Sequence, residues 1–326
     1  MPTLGWIEKL RAYSSKLRSA GPIALPIAFK WRFDSLFLPL ESSQRTLYDT
    51  IHKLFWQELR SFPNLIKPKD FNSKIQWLKL FDQKPEIVTC TDKYLVRNFV
   101  EDRVGPDYLT KLYAVLDKPE LILNLQISKD VVIKTNHDSG TVFLLKRENS
   151  HKFSKLVEPL KLALSKTYGH LNGEWAYAYI KPKILVEEYL DSEAEYPPAD
   201  FKFHCVDGRV QWLQYIFERG INTKEVIVDP LGKAQNIHFD HHLIHVNEFQ
   251  IPENWDELIR VAEELSRGFK YVRVDLYNVA GRIVFGEMTF FPLMGCYPGQ
   301  GQKKLGKLLN FSLNPFDPYE SSSNQL

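Results

Sequence analysis

The sequence predicts an α+β fold. Strand signals arrive in pairs from residue 130 onward, helical stretches separate the pairs, and no regular strand–helix–strand alternation runs through the chain. Before residue 86 the pattern is helical instead, so an N-terminal helical region precedes the mixed part.

Each element has a local reason. In 47–60 the apolar positions Leu47, Ile51, Leu54 and Phe55 recur at helical spacing, and 73–81 continues that pattern. Asp92 reads as an N-cap for a helix-like run over 94–100. Segments 130–134 and 142–146 read as strands around a polar loop, and 184–190 as a single apolar strand. Segments 201–206 and 209–217 are joined by Asp207-Gly208, a strong hairpin-turn signal. Helices are expected over 154–168 and 256–266. The last residues, 321–326, read as a disordered tail.

Bulk composition narrows the function classes. At 326 residues the chain exceeds one typical domain, so two lobes or one large elaborated domain are expected. A hydrophobic content of 44% and a charged content of 25% are ordinary globular values, and a net charge of +2 gives no nucleic-acid footprint. Cys90, Cys205 and Cys296 are widely spaced and odd in number, which favours a reducing cytoplasm over a disulfide framework. Glu8, Lys9 and Arg11 precede any apolar run, so no signal peptide is expected. The basic, Trp- and Phe-containing start before Glu41 has two readings: a segment resting on an anionic membrane surface, or a helical collar packed on the body.

The chemistry concentrates in 271–289, two alternating strands that turn near Ala280-Gly281. Val272, Val274 and Leu276 share one face, and Arg273, Asp275 and Tyr277 the other. Asp275 lies six residues before Gly281 and Glu287 six after it. A hairpin folded there sets the two carboxylates opposite each other, ~5 Å apart. Like charges so placed drive one toward protonation unless a cation intervenes, and oxygen ligands of this kind suit Mg²⁺. The alternative is a wet sheet on which both carboxylates are hydrated.

Three further places carry polar groups at the ends of strands. Lys134 leaves an apolar strand into a Ser139-Gly140 loop, an arrangement that cradles phosphate oxygens or, alternatively, is a plain hairpin. Glu187 and Glu188 end another apolar strand, where backbone and carboxylate can meet an adenine edge. Lys202 shares the polar face of its strand with Asp200 and His204. The histidines His238, His241, His242 and His245 have zinc-like spacing but no clear helical face, so they are set aside as a metal site.

Taken in order, FNSKIQWLKLFD (71–82), TDKYLVRNFV (91–100), VIKTNHDSG (132–140), KPKILVEEYL (181–190), DFKFHCVDGRV (200–210) and VRVDLYNVAGRIVFGEMTFFP (272–292) resemble the TupA-like branch of the ATP-grasp enzymes, named for teichuronopeptide biosynthesis. The resemblance implies two α+β lobes with ATP between antiparallel sheets, spanning 86–310 after a helical region (1–85) and before a tail (311–326). It also implies roles. Lys93 and Lys134 hold the α- and β-phosphates, and Ser139 and Gly140 belong to a loop closing over the triphosphate. Glu187, Glu188 and Leu190 form the adenine hinge, the last two through backbone groups. Lys202 lies near the γ-phosphate, Arg273 steadies the reacting acyl centre, and Asp275 and Glu287 bind Mg²⁺. Thr289 stands where many relatives have Asn, Asp138 where the loop more often has Gly, and Ser73 where Glu is common. Asp191, Glu193 and Glu195 all remain candidates for the ribose contact.

The implied activity is an ATP- and Mg²⁺-dependent carboxylate–amine ligase forming C–N amide bonds through an acyl phosphate, in capsule, O-antigen or teichuronopeptide-like polysaccharide assembly. Its substrates would be a small or glycan-linked carboxylate and an amine, in the cytoplasm or at the inner face of the membrane. A polysaccharide-biosynthesis transferase (glycosyltransferase or sugar kinase) and a non-catalytic nucleotide-binding scaffold are the alternatives.

Overall fold

The computed structural model describes residues 38–312 and 314, apart from 167, 170, 171, 193–195 and 221. The basic start, the tail, Glu193 and Glu195 therefore lie outside the described residues. Seven α-helices and eleven strands are present among those described: α1 (Ser42–Leu59), α2 (Phe71–Phe81), α3 (Pro85–Thr91), α4 (Val96–Val104), β1 (Leu112–Leu116), β2 (Val131–Thr135), β3 (Val142–Leu145), α5 (Val157–Ser165), β4 (Ile184–Glu188), β5 (Asp200–Val206), β6 (Arg209–Phe217), β7 (Lys224–Val228), β8 (Ala234–Gln235), β9 (Ile244–His245), α6 (Trp255–Ser266), β10 (Tyr271–Val279), β11 (Arg282–Thr289) and α7 (Gly301–Leu308).

The strands form two sheets. The smaller has the order β1-β4-β2-β3 and is antiparallel throughout. Its core is Ile122, Val131, Ile133, Leu160, Ile184 and Val186, all fully buried. The larger has the order β11-β10-β5-β6-β7-β8, with β9 pairing parallel to β7. Helix α6 covers one of its faces: Trp255, Leu258, Val261, Ala262 and Leu265 recur at helical spacing and are buried. They pack in one core with Val272, Val274 and Leu276, each fully buried.

The other face of the larger sheet is where the structure departs from simple alternation. His204 is fully buried rather than solvent-facing, packed against Phe71 of α2 and against Phe239 and Tyr297. Helix α2, started by Asp70 (Ser73 N–H to Oδ1, 2.8 Å), packs on α7 and closes this side. Ser73 is thus a capping partner, its hydroxyl donating to Asp70 Oδ2 (2.9 Å).

Both predicted hairpin turns form. Asp207 and Gly208 (φ 48° and 74°) join Val206 to its partner Arg209, and Ala280 and Gly281 (φ 48° and 83°) join Val279 to Arg282. Two consecutive positive φ values are what a two-residue hairpin loop requires, because they match the strands' twist. The helix expected over 154–168 is shorter, since a 3-10 stretch from Arg147 to Leu156 precedes α5. The run at 94–100 begins with a turn: Asp92 Oδ1 accepts from Tyr94 N–H (2.8 Å) before the α-helix starts at Val96. No helix among the described residues is long and apolar enough to cross a membrane.

Candidate active site

A cleft of about 420 Å³ opens between the two sheets. Val132 and Lys134 of β2, Val142 of β3, Glu187 and Glu188 of β4 and the following Tyr189 and Leu190 wall one side. Asp200 and Lys202 of β5, Asp275 and Tyr277 of β10, and Phe285 to Glu287 of β11 wall the other. Lys93, before α4, enters from the side. Val132 and Val142 give the smaller sheet an apolar surface there, and Val142 is 56% exposed. Val142 is therefore open to the cleft rather than part of the smaller sheet's core.

The larger sheet carries a chain of alternating charges. Asp275 stands opposite Lys202 on one side and Glu287 on the other. Arg273 clamps Asp275 with one edge of its fork, Nε to Oδ1 and a terminal nitrogen to Oδ2, each 2.7 Å. The same guanidinium donates to Thr289 Oγ1 (3.1 Å) and lies 3.5 Å from Glu287 Oε1. Lys202 Nζ reaches Asp275 Oδ2 (2.5 Å) and Asp200 Oδ1 (3.3 Å), and Arg219 takes the other oxygen of Asp200. The facing carboxylates are therefore neutralised by protein cations. Repulsion between them does not by itself demand a metal, which corrects the electrostatic argument from the sequence.

The smaller sheet holds its lysine differently. Lys134 Nζ sits 2.7 Å from Glu187 Oε2, while Arg97 and the Thr110 hydroxyl donate to the same carboxylate (3.3 and 3.2 Å). Glu187 is buried and fully engaged with these partners. Glu188 points elsewhere: Arg282 holds it through 3.0 and 3.2 Å bonds, and its amide is already given to the Lys111 carbonyl (2.9 Å). Arg282 first, and the Lys111 N–H donating to Oε2 (3.1 Å), keep its carboxyl below the usual carboxylate range against the opposing effect of burial. Because Arg282 begins β11, this pair ties the larger sheet to the smaller.

Lys93 donates to the Asp138 carbonyl (2.6 Å) and lies 5.9 Å from the Tyr177 ring centre. Burial lowers its pKa, with Glu287 opposing and Lys134 reinforcing the shift. The Asp138 carboxylate turns inward to the Thr135 and Thr141 hydroxyls, so its charge is spent on closing the loop. Ser139 and Gly140 form the exposed tip of that loop, with Gly140 at φ 98°. They do not line the cleft.

Sequence reasoning missed Arg97, Thr110 and Arg219: Arg97 lies inside the 91–100 motif but carried no assigned role, and Thr110 and Arg219 lie outside every motif. The histidine cluster lies in loop and short strand, with the His238 and His245 rings 6.1 Å apart, and no group of three metal-binding side chains is found among the described residues. All three cysteines are free and buried.

This arrangement coincides with a family match. A TupA-like ATP-grasp family model matches residues 73–309. The chain belongs to the TupA-like ATP-grasp family. Among solved structures, one of the ATP-grasp ligase PsnB complexed with minimal precursor is similar at 15% identity, covering 69% of this chain and 61% of that one, with a TM-score of 0.38. The D-alanine–D-alanine ligase from Helicobacter pylori is similar at 11% identity, over 74% of this chain and 68% of that one, TM-score 0.40. The ADP complex of purK, N5-carboxyaminoimidazole ribonucleotide synthetase, is similar at 12% identity, over 67% and 50%, TM-score 0.40. This chain thus spans about three fifths of the PsnB chain it matches. No curated protein matches it.

Proposed function

We propose that the protein is an ATP- and Mg²⁺-dependent carboxylate–amine ligase that works through an acyl phosphate in surface-polysaccharide assembly. The observation that carries this is the meeting, in one cleft, of lysines from both sides (Lys93, Lys134, Lys202) with the Arg273–Asp275 clamp opposite Glu287. Phosphoryl transfer needs charge neutralisation and positioning more than covalent help from the protein. Three lysines around a cleft of this size supply both.

In the reaction a carboxylate oxygen attacks the γ-phosphorus of ATP, and ADP leaves. An amine nitrogen then attacks the acyl carbon, expelling phosphate and losing a proton as the amide forms. Arg273 lies beside the Asp275–Glu287 pair, where its charge can stabilise the oxyanion of the tetrahedral state. Val132 and Val142 would pack against the base, with Leu190 at the hinge, while Lys93 and Lys134 meet the phosphates. Binding then requires Lys134 to share its ammonium between Glu187 and the nucleotide. Ser139 and Gly140, at the exposed loop tip outside the cleft lining, would have to move to close over the triphosphate.

The donor set fits Mg²⁺. Asp275, Glu287 and the Thr289 hydroxyl are hard oxygen donors, and two carboxylates suffice for an ion that takes its other ligands from water and phosphate. Glu287 is the more available, since among the described residues only Thr289 donates to it at hydrogen-bond distance while Asp275 is clamped. Bound there, Mg²⁺ would neutralise phosphate charge. The polysaccharide setting draws on kinship with the TupA-like family.

The test is release of ADP and phosphate by purified protein with Mg²⁺-ATP and pooled sugar acids plus amino acids. Coupled release that needs both pools is the expected result. Sugar transfer from a nucleotide sugar without phosphate release would replace this reading with the transferase one.

A further inference from the structure

Strand β6 ends at Phe217, and the chain leaves it through Glu218 in the left-handed region (φ 51°), which non-glycine residues occupy at a cost. The turn is fixed beyond that point. Gly220 N–H donates to Thr223 Oγ1 (3.0 Å), that hydroxyl donates to the Gly220 carbonyl (2.9 Å), and Glu218 pairs with Lys224 (2.6 Å). Between these ties Arg219 turns into the cleft wall beside Asp200 and Lys202.

Arg219 is the outermost member of the alternating series Arg273–Asp275–Lys202–Asp200–Arg219. Its side chain is 44% exposed, whereas that of Asp200 is 5% exposed. With Glu287 beside Arg273, three cations and three carboxylates make up this network, and Arg219 is its most water-exposed cation. The guanidinium uses Nε and one terminal nitrogen on a single oxygen of Asp200. Its remaining N–H groups have no protein acceptor among the described residues. A fork braced on one edge by a buried carboxylate, with the other edge open to a cleft, is pre-organised for a second oxyanion.

We propose that Arg219 is an oxyanion-binding arm of this cleft, taking either the terminal phosphate of the nucleotide or the carboxylate to which that phosphate is transferred. This rests on the ligase reading and adds a residue to it. The buried Asp200 sets the direction of the arm and links it to Lys202, so both cations converge on one end of the cleft. A lysine at 219 would keep the charge but lose the braced geometry.

The experiment compares the unaltered protein with Arg219→Gln and Arg219→Lys in calorimetric binding of Mg²⁺ with a non-hydrolysable ATP analogue and with ADP. It also follows ADP release against the concentration of the pooled sugar acids. If the phosphate is the partner, Arg219→Gln loses about tenfold or more for the ATP analogue and little for ADP, as expected for a lost charge-assisted bond. If the carboxylate is the partner, both nucleotides bind as before and the half-saturating concentration of sugar acid rises by about tenfold. In either case Arg219→Lys recovers only part of the loss. Unchanged binding and turnover in Arg219→Gln, or equal losses for ADP and the analogue, would overturn the assignment. Should the unaltered protein bind both nucleotides yet release ADP with no acid pool, the ligase reading fails, while the phosphate arm is still decided by the binding comparison.

Discussion

Asp275 and Glu287 face each other across β10 and β11 because Gly286 is an extra residue in the second strand. From the two-residue turn the pairing runs Val279 with Arg282 through Leu276 with Phe285, a register that would set Asp275 against Gly286. The ladder shifts between Asp275 and Leu276, and Glu287 moves into place opposite Asp275. Such a bulge re-aims a side chain at the point where it occurs. Here it turns a second carboxylate toward Arg273 and the cleft.

Gly286 leaves little room for a side chain. A Cβ there would lie 3.0 Å from the Asp275 carbonyl oxygen and 3.1 Å from the Tyr277 ring. Gly286→Ala should therefore destabilise the fold by about 1–3 kcal/mol, the usual cost of overpacking, and displace Glu287. Denaturant unfolding gives the first quantity, and ADP release reports the second. A variant with unchanged stability and turnover would show that the bulge tolerates bulk.

Glu287→Gln removes one charge and preserves shape. The Glu287 side chain is 38% exposed, so the unfolding midpoint should hardly move, within ~0.5 kcal/mol. Turnover should be lost if this carboxylate holds Mg²⁺. Normal ADP release from the variant would remove Glu287 from the metal site.

Lys134 now has a measurable competitor. Its ammonium pairs with the buried Glu187, so Lys134→Met would remove one of that carboxylate's partners along with the proposed phosphate contact. Nucleotide affinity should fall by at least ~1.5 kcal/mol, the lower range for a bond to a charged group. Arg97 and Thr110 still hold Glu187, so the protein should remain folded by circular dichroism. Equal ATP affinity in calorimetry would leave Lys134 as a purely structural partner of Glu187.

Away from the cleft, Glu225 gives a pH signature. It is fully buried, accepting from Gln214 Nε2 (2.6 Å) and Phe239 N–H (3.2 Å), and burial pushes its carboxyl up to about 7. The folded state therefore holds a proton that the unfolded chain releases at lower pH. Between the usual carboxylate range and about pH 7 this group makes stability fall as pH rises, by at most about 1.4 kcal/mol per unit. Glu225→Gln should flatten that slope in urea titrations at several pH values. An unchanged slope would assign the pH dependence to other groups.

Much of this was legible in the sequence, for particular reasons. Period-2 alternation and Asp207-Gly208 marked β5 and β6, and the ordered motifs marked the family. The opposition of Asp275 and Glu287 also followed from counting residues about Gly281, although the count succeeds through two compensating features. The turn has two residues at its tip rather than one, and the bulge at Gly286 restores the offset. What stayed hidden is long-range: Arg97 and Glu187 are 90 residues apart, and Arg282 and Glu188 are 94 apart. The burial of the polar face of β5 was hidden too, because nothing local shows that α2 and Tyr297 come to cover His204.

The acyl phosphate is the central claim, and an oxygen label tests it directly. The pooled sugar acids, enriched with ¹⁸O in their carboxylates, are incubated with the protein, Mg²⁺-ATP and the amino-acid pool, and the released phosphate is analysed by mass. Attack of a carboxylate oxygen on the γ-phosphorus, followed by amide formation, transfers one labelled oxygen to each phosphate. The account predicts ¹⁸O in the phosphate together with an amide product. Phosphate released with ADP but carrying no label would contradict it, because the carboxylate would then never have been phosphorylated.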